Sequence, residues 1–324
     1  MTINHKHKFA AVILAAGKGT RMKSDLPKVM HKLAGKPLVS HVLSLVDVLG
    51  AQKKVLVIAP AMESVAAVAK GCDIAIQDKQ MGTGHAVSCS ESALQGYGGT
   101  VLVLYGDTPL ITAGTLEKML VAAQAAEVVV LGMHLENPMG YGRLVVNSTG
   151  HLDAIVECKD ASPEQKKITL CNSGVIAVSG KHLFGLLKKI TPNNASGEYY
   201  FTDIVSLANA ERLRSMVVEA PAAELSGINS RLQLAEAEHA LQTRLRKQAL
   251  ENGVTLVDPT TVYFAADTKI AQDVIIHPHV VFGEGVVIET GAEIKSFSHI
   301  EGTHIGRNAT VGPFARLRPG SVLE

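Results

Sequence analysis

The sequence predicts an α/β protein: a doubly wound, mostly parallel, Rossmann-like sheet, then a linker helix and a partial left-handed parallel β-helix. Three observations carry this expectation. Short apolar runs alternate with amphipathic stretches from Phe9 to about Ile228. A charged stretch with leucines along one side follows, and beyond it aliphatic residues recur every six positions. The corresponding divisions are residues 1–228, 229–253 and 254–324.

In the first division the apolar runs at 9–13, 54–58, 100–105, 128–133 and 174–178 are short, aliphatic and bounded by glycine or polar residues, as buried strands require. Between them, 37–49 and 112–126 carry apolar residues three and four apart, which places one apolar stripe on a helix. Ligands of such open sheets collect outside the carboxyl ends of the strands. Residues 230–251, with Leu234, Leu241 and Leu245 on one side and Asn252-Gly253 as a stop, read as the linker helix.

Beyond it Phe264, Ile270, Ile276, Phe282, Ile288, Ile294 and Ile300 fall six apart. After one five-residue step, Ile305, Val311, Leu317 and Leu323 resume the count. Small or β-branched residues follow most anchors by four, among them Val274, Val280, Val286, Ala292 and Ser298. Each six-residue side thus contributes one inward aliphatic to a stacked core. A solenoid needs a closing cap over its last coil, and none precedes Glu324, so the expectation is a shortened form of a longer protein.

With 324 residues, 47% apolar and 19% charged, the chain can bury a large core and suggests two domains. A formal net charge of +1 without a dense basic block gives no footprint for nucleic acid or an anionic membrane. Residues 1–8 are polar and basic, but the apolar stretch after them is too short to cross a bilayer and lacks a signal-peptide cleavage pattern. Cys72, Cys89, Cys158 and Cys171 show no Cys-x-x-Cys spacing and read as reduced thiols of a cytoplasmic protein. Few aromatics and no Trp disfavour a base-stacking single-strand binder.

The segment 14–22, with Lys28 six residues later, has the makings of a phosphate cradle. Gly17 and Gly19 permit positive φ and close approach of main-chain N–H groups, and Lys18, Arg21 and Lys28 add positive charge. It is not a Walker A loop, since Val12 replaces the first glycine and Gly19 the hydroxyl residue. Met22 replaces the third glycine of a dinucleotide fingerprint, which argues against a nicotinamide cofactor. Asp107 ends the run 100–105 through Gly106, where a hard carboxylate can hold Mg²⁺ against phosphate oxygens, or else simply opens a turn before Pro109. Gln77 with the 81–85 turn offers an amide for a base edge, a hydroxyl at Thr83 and N–H groups; His85 reads as structural. Residues 140–143, Glu157 with Lys159 and Asp160, and 172–174 put polar groups beside strand ends, as a sugar's hydroxyls and amide require.

Taken in order, these motifs, with Pro27-Lys28-Val29, residues 197–203 and residues 227–234, resemble the bifunctional bacterial N-acetylglucosamine-1-phosphate uridyltransferases, the GlmU family, over nearly the whole chain. The resemblance implies the nucleotide-diphospho-sugar transferase fold and Mg²⁺-dependent transfer of a uridylyl group from UTP to N-acetylglucosamine 1-phosphate. It implies contacts of Leu14, Ala15, Ala16 and Gly17 with the nucleotide, of Gln77, Gly82 and Thr83 with uracil, and of Arg21 and Lys28 with the triphosphate. It places Tyr105, Gly106 and Asp107 along the site, Asp107 and Asn229 on Mg²⁺, and Gly142, Glu157, Asn172 and Asn229 around the acetamido sugar. Asn229 could equally be the cap of the linker helix.

The family's second activity, acetyl transfer from acetyl-CoA to glucosamine 1-phosphate, belongs to the β-helix. Arg318 resembles one position of that site, and the remaining positions would lie past Glu324, so this chain is expected not to acetylate. A homotrimer through the β-helix is implied as well. The rival expectations are another sugar-1-phosphate nucleotidyltransferase and a non-catalytic subunit of the same fold.

Overall fold

A computed structural model describes residues 8–324. The chain divides into two compact units, one running through Met30 and from Leu38 to Asn229, the other comprising His31–Pro37 and Ser230–Glu324. Among the described residues the four cysteines are free thiols. No helix there is long and apolar enough to cross a membrane.

The first unit is built on a nine-stranded sheet. Its strands are β1 (Phe9–Leu14), β2 (Lys53–Ile58), β3 (Asp73–Ile76), β4 (Thr100–Tyr105), β5 (Val128–His134), β6 (Arg143–Val146), β7 (Leu152–Val156), β8 (Leu170–Ser179) and β9 (Ser215–Glu219). The spatial order is β9-β5-β8-β4-β1-β2-β3, with β6 beside β8 and β7 beside β6. Strand β1 is buried along its whole length. Phe9, Ala11 and Ile13 enter one core, with the helices Leu38–Val48 and Ala113–Ala122, while Ala10, Val12 and Leu14 enter the other, with Gly180–Leu187 and Ile204–Ala210. Burial on both faces explains the continuous apolar run.

From β1 the chain passes to β2 and β3 on one side, then returns to β4 on the other. That reversal leaves a crevice at the carboxyl ends of β1 and β4, where ligands of open α/β sheets bind. Leu14 is in register with both Tyr105 of β4 and Val57 of β2. The two loops richest in candidate residues therefore leave the sheet side by side. Strand β8 runs antiparallel to β4 and β5, and the β6–β7 hairpin is antiparallel too, which the run-and-helix pattern did not foreshadow.

In the second unit, two-residue parallel strands stack on three faces. One face holds Ile275–Ile276, Glu293–Ile294 and Thr310–Val311, so successive coils are eighteen and then seventeen residues long, the five-residue step shortening the second. The anchors Ile276, Ile294, Ile300, Ile305 and Val311 are buried, as are Val274, Val280, Val286 and Ala292.

The helix Arg231–Glu251 belongs to this unit. Its N-cap is Ser230, whose Oγ accepts from Gln233 N at 3.2 Å, not Asn229 as the sequence position allowed. Its buried face includes two polar residues, Gln242 and Arg246. Gln242 Nε2 donates to Phe264 O at 2.7 Å while its Oε1 accepts from Phe264 N at 2.9 Å, and Arg246 Nε donates to Val262 O at 2.8 Å. The first coil has no preceding coil to pair with, and these side chains satisfy its main chain instead.

Candidate active site

Main-chain bonds fix the cradle after β1. Gly106 N donates to Leu14 O at 2.9 Å and Ala15 N to Val57 O at 2.8 Å, so the loop leaves the sheet only after Ala15. Ala16 O accepts from the Gln80 side chain. Gly19 has φ +62°, and a Cβ there would stand 2.5 Å from Lys28 Cβ. That glycine lets the Lys28 stem press against the loop. Gly17 differs from expectation: it is not among the positive-φ residues, and a Cβ on it would meet nothing within 4 Å. Its contribution is open space beside the loop, not a special backbone conformation.

Lys28 Nζ forms an ion pair with Asp107 and donates to Asn229 Oδ1 at 2.8 Å. Both charged side chains are about 13% exposed. Ile228 N donates to Asp107 O at 2.9 Å, which ties the segment carrying Asn229 to the turn after β4. Residues 28, 107 and 229, far apart in sequence, therefore converge on one cation. Arg21 lies exposed on the turn Thr20–Met22, and among the described residues it forms no ion pair with this cluster. Lys18 lines a cleft of about 730 Å³ with Pro27, Pro60, Met62, Gln77 and Gln80.

Gln77 is buried, and its Nε2 is occupied by Gly82 O at 3.1 Å and His85 Nδ1 at 3.2 Å, leaving Oε1 as its free polar function. His85 is thereby a structural partner, as its sequence context suggested. Gly82 has φ +110°, and a Cβ on it would lie 2.6 Å from Tyr199 O. Tyr199 N donates to Met81 O and Gly84 N to Tyr199 O, each at 2.8 Å, and Phe201 N donates to Thr83 Oγ1 at 3.0 Å. The segment 199–202 thus straps the turn 81–84, and one residue further Thr202 donates to Glu157 Oε1 at 3.1 Å. Burial pushes the Glu157 carboxyl above its ordinary value; the Thr202 hydroxyl works in the opposite direction, and Asp160 and Asp203 add to the rise.

Gly142 stands against Glu157, its would-be Cβ 3.5 Å from both carboxylate oxygens, and Gly142 O accepts from Asn172 N at 2.9 Å. Residues 172–174 are not beside a strand end as expected. They lie within β8, at a register irregularity between Asn172 and Ile176. Such a bulge re-aims side chains next to a site. Buried Asn172 accepts at Oδ1 from Gly174 N at 2.9 Å, and Gly174, at φ +91°, leaves room for the Tyr105 ring, 2.6 Å from where a Cβ would be. Tyr105 joins the two halves. Its phenol is held protonated far above the usual range by burial first, then by Glu157 and Asp107, and it hydrogen-bonds Thr83.

The cation-rich loop, the amide-bearing turn and the acidic, amide-lined wall are therefore contiguous through Tyr105 and the 199–202 strap. Gln80 was missed by sequence reasoning, and Thr202 entered only within the run 197–203 with no role of its own, since the task of each is to hold neighbours, which no local motif signals. Arg318 is exposed in the second unit, with Ser321 N donating to its carbonyl at 3.1 Å.

The MobA-like NTP transferase domain family matches residues 11–169. The bifunctional protein GlmU of Paramagnetospirillum magneticum is 51% identical over 319 residues, covering 98% of this chain and 71% of the relative. The chain belongs to the GlmU family. Bifunctional protein GlmU of Rhodospirillum rubrum is 53% identical over 306 residues, covering 94% of this chain and 68% of the relative. Among solved structures, UDP-glucose pyrophosphorylase complexed with UDP-glucose superposes with a TM-score of 0.57 at 20% identity, over 74% of this chain and 99% of that one, a likeness of fold. With GlmU relatives this similar and an NTP transferase domain, the chain is a nucleotidyltransferase.

Proposed function

We propose that the first unit transfers a uridylyl group from UTP to N-acetylglucosamine 1-phosphate, releasing pyrophosphate and forming UDP-N-acetylglucosamine. The observation that carries this is the convergence of Lys28, Asp107 and Asn229 beside a main-chain phosphate cradle, with Glu157 and Asn172 across Tyr105. A sugar-phosphate oxygen attacks the α-phosphorus as the bond to the leaving pyrophosphate breaks in line. No protein nucleophile is needed, and the chain's task is to hold two anions together and offset their charge.

Leu14 to Gly17 receive the nucleotide, with Gln77 Oε1 accepting from the uracil N3–H and the 82–83 turn packed along the base. Lys28 and Arg21 stabilise the negative charge gathering on pyrophosphate. Gly142, Glu157 and Asn172 take the sugar's hydroxyls and acetamido group. Tyr105, protonated throughout, remains a hydrogen-bond donor between the two substrates.

The donor set fits a divalent ion. Asp107 and Asn229 offer hard oxygens that already share one cation, and among the described residues no cluster of three or more His, Cys, Asp or Glu forms a closed cage. Mg²⁺ suits such a pair, because it keeps water and phosphate as its remaining ligands. Asp107 and Asn229 would hold it, and when bound it would polarise phosphoryl oxygens. Residues 1–228 would then form the catalytic domain, 229–253 a connecting helix, and 254–324 a β-helix segment through which copies of the chain assemble as trimers. Arg318 is assigned to substrate binding in the family's acetyl transfer.

Product analysis tests the reading. Protein with Mg²⁺, UTP and N-acetylglucosamine 1-phosphate should give UDP-N-acetylglucosamine and pyrophosphate; pyrophosphate release with ATP, GTP or dTTP but not UTP overturns the uridylyl assignment.

A further inference from the structure

The Lys28–Asp107–Asn229 cluster contains a conflict. The ammonium of Lys28 sits between the same two oxygens, one from Asp107 and Asn229 Oδ1, that would hold the divalent ion. The ammonium and the metal compete for one place. Lys28 is also the residue whose stem packs on Gly19 of the phosphate cradle, with both ends of its ion pair largely withdrawn from solvent.

We infer that Lys28, besides meeting the triphosphate, closes the metal site of the free protein, and that a nucleoside triphosphate opens it by drawing the ammonium onto its phosphates. The inference rests on the reading of the site as a nucleotidyl-transfer centre. Its physical basis is direct. In the free protein a dication entering between Asp107 and Asn229 must expel a monovalent cation from a partly buried carboxylate. Once polyphosphate oxygens lie in the cradle, Lys28 has stronger partners there, and the carboxylate and amide oxygen are released. Nucleotide and metal then promote each other's binding, reciprocally as linkage requires. The arrangement also keeps the Asp107 charge compensated when no substrate is present, where an uncompensated charge would be costly.

Mn²⁺ alone, followed by the EPR signal of the free ion, reports on the closed site without any catalytic turnover. Wild-type protein should bind Mn²⁺ weakly, and Lys28→Met should bind it on the order of tenfold more tightly, the size expected when an opposing charge is removed from a carboxylate. Lys18→Met, which removes a cation from the same glycine-bearing loop but not from the oxygen pair, should leave the affinity near that of wild type. The double variant Lys28→Met/Asp107→Asn should lose the gain. Equal affinities for wild type and Lys28→Met overturn the inference, as does an equal gain in Lys18→Met or a gain that survives Asp107→Asn.

Should Lys28→Met fail to fold, wild-type protein with ¹³C-methylated lysines gives the second test. The Lys28 resonance should move on adding UTP without metal, and an unmoved resonance under saturating UTP overturns the inference. Uridylyl transfer by wild-type protein is measured separately, so loss of the functional reading and loss of the lysine exchange are distinct results.

Discussion

Thr202→Val removes one hydroxyl from the strap and so isolates the link between the two proposed substrate pockets. Thr202 is buried and donates to Glu157 Oε1 at 3.1 Å, and the Glu157 carboxylate adjoins Gly142 and, through it, Asn172. A hydrogen bond to a charged group contributes about 1.5–3 kcal/mol. If about half of that is expressed as misplacement of the carboxylate, KM for N-acetylglucosamine 1-phosphate should rise roughly four- to twelvefold, since about 1.4 kcal/mol is a factor of ten. KM for UTP should stay within about twofold, because main-chain bonds to Tyr199 and the bond from Phe201 N to the Thr83 hydroxyl hold the 81–84 turn without Thr202.

The pH dependence adds a readout that mere loosening would not move. Burial raises the Glu157 carboxyl and the Thr202 bond lowers it, so the valine variant should raise it further. The acid limb of kcat/KM for the sugar phosphate should therefore move to higher pH. Thr202→Ser, which keeps the hydroxyl, should restore both values. Initial rates varied in each substrate between pH 5 and 8 decide the matter. Equal increases in both KM values, an unmoved acid limb, or no rescue by serine would refute the role assigned to Thr202.

Three further outcomes follow from named contacts. Gly174→Ala places a methyl 2.6 Å from the Tyr105 ring at φ +91° and should cost about 1–3 kcal/mol in denaturant unfolding together with a loss of kcat; full activity at unchanged stability contradicts the packing described. Gln242→Ala leaves both main-chain groups of Phe264 unpaired and should destabilise the second unit by about 1–3 kcal/mol, seen by hydrogen exchange in residues 254–311, while uridylyl transfer persists. His31 is buried with Arg231 on its Nδ1, and burial followed by the Arg231 charge lowers its basicity. Its folded-state affinity for protons is below the unfolded one, so stability is present above about pH 6.5 and lost as pH falls through the lowered value; in His31→Gln that loss in melting temperature should shrink.

Period and composition made most of the architecture readable. A six-residue repeat has one common solution, and the aliphatic runs of β1, β2, β4 and β5 could hardly be anything but buried strands. The β6–β7 hairpin was harder to see because half-buried hairpins carry shorter, more polar stretches such as Arg143–Val146, and for β8, whose run 174–178 was legible, only the antiparallel direction was not. At the candidate site, residues proposed to meet a ligand through charge or main chain were legible: Lys28, Asp107 and the 81–85 turn. Supporting residues were not. Thr202, Gln80 and Gln242 act across gaps of tens of residues in most cases, and their significance exists only once the chain has brought their partners close. Gly17 shows the converse, a glycine whose value lies in vacancy, whereas Gly19 serves close approach, a distinction no sequence pattern carries.

The cradle's dependence on main-chain bonds has a consequence for how such a protein can diverge. Because Leu14 and Ala15 are pinned to Gly106 after β4 and to β2 through main-chain carbonyl and N–H groups, which every residue but proline carries, the position of the loop proposed to hold the phosphates is inherited with the sheet itself. On the proposed reading, what distinguishes one base or one sugar from another resides in peripheral side chains, Gln77 on one rim and Glu157 with Asn172 on the other. Selection can therefore exchange the donor or the acceptor one rim at a time, leaving the reacting centre untouched.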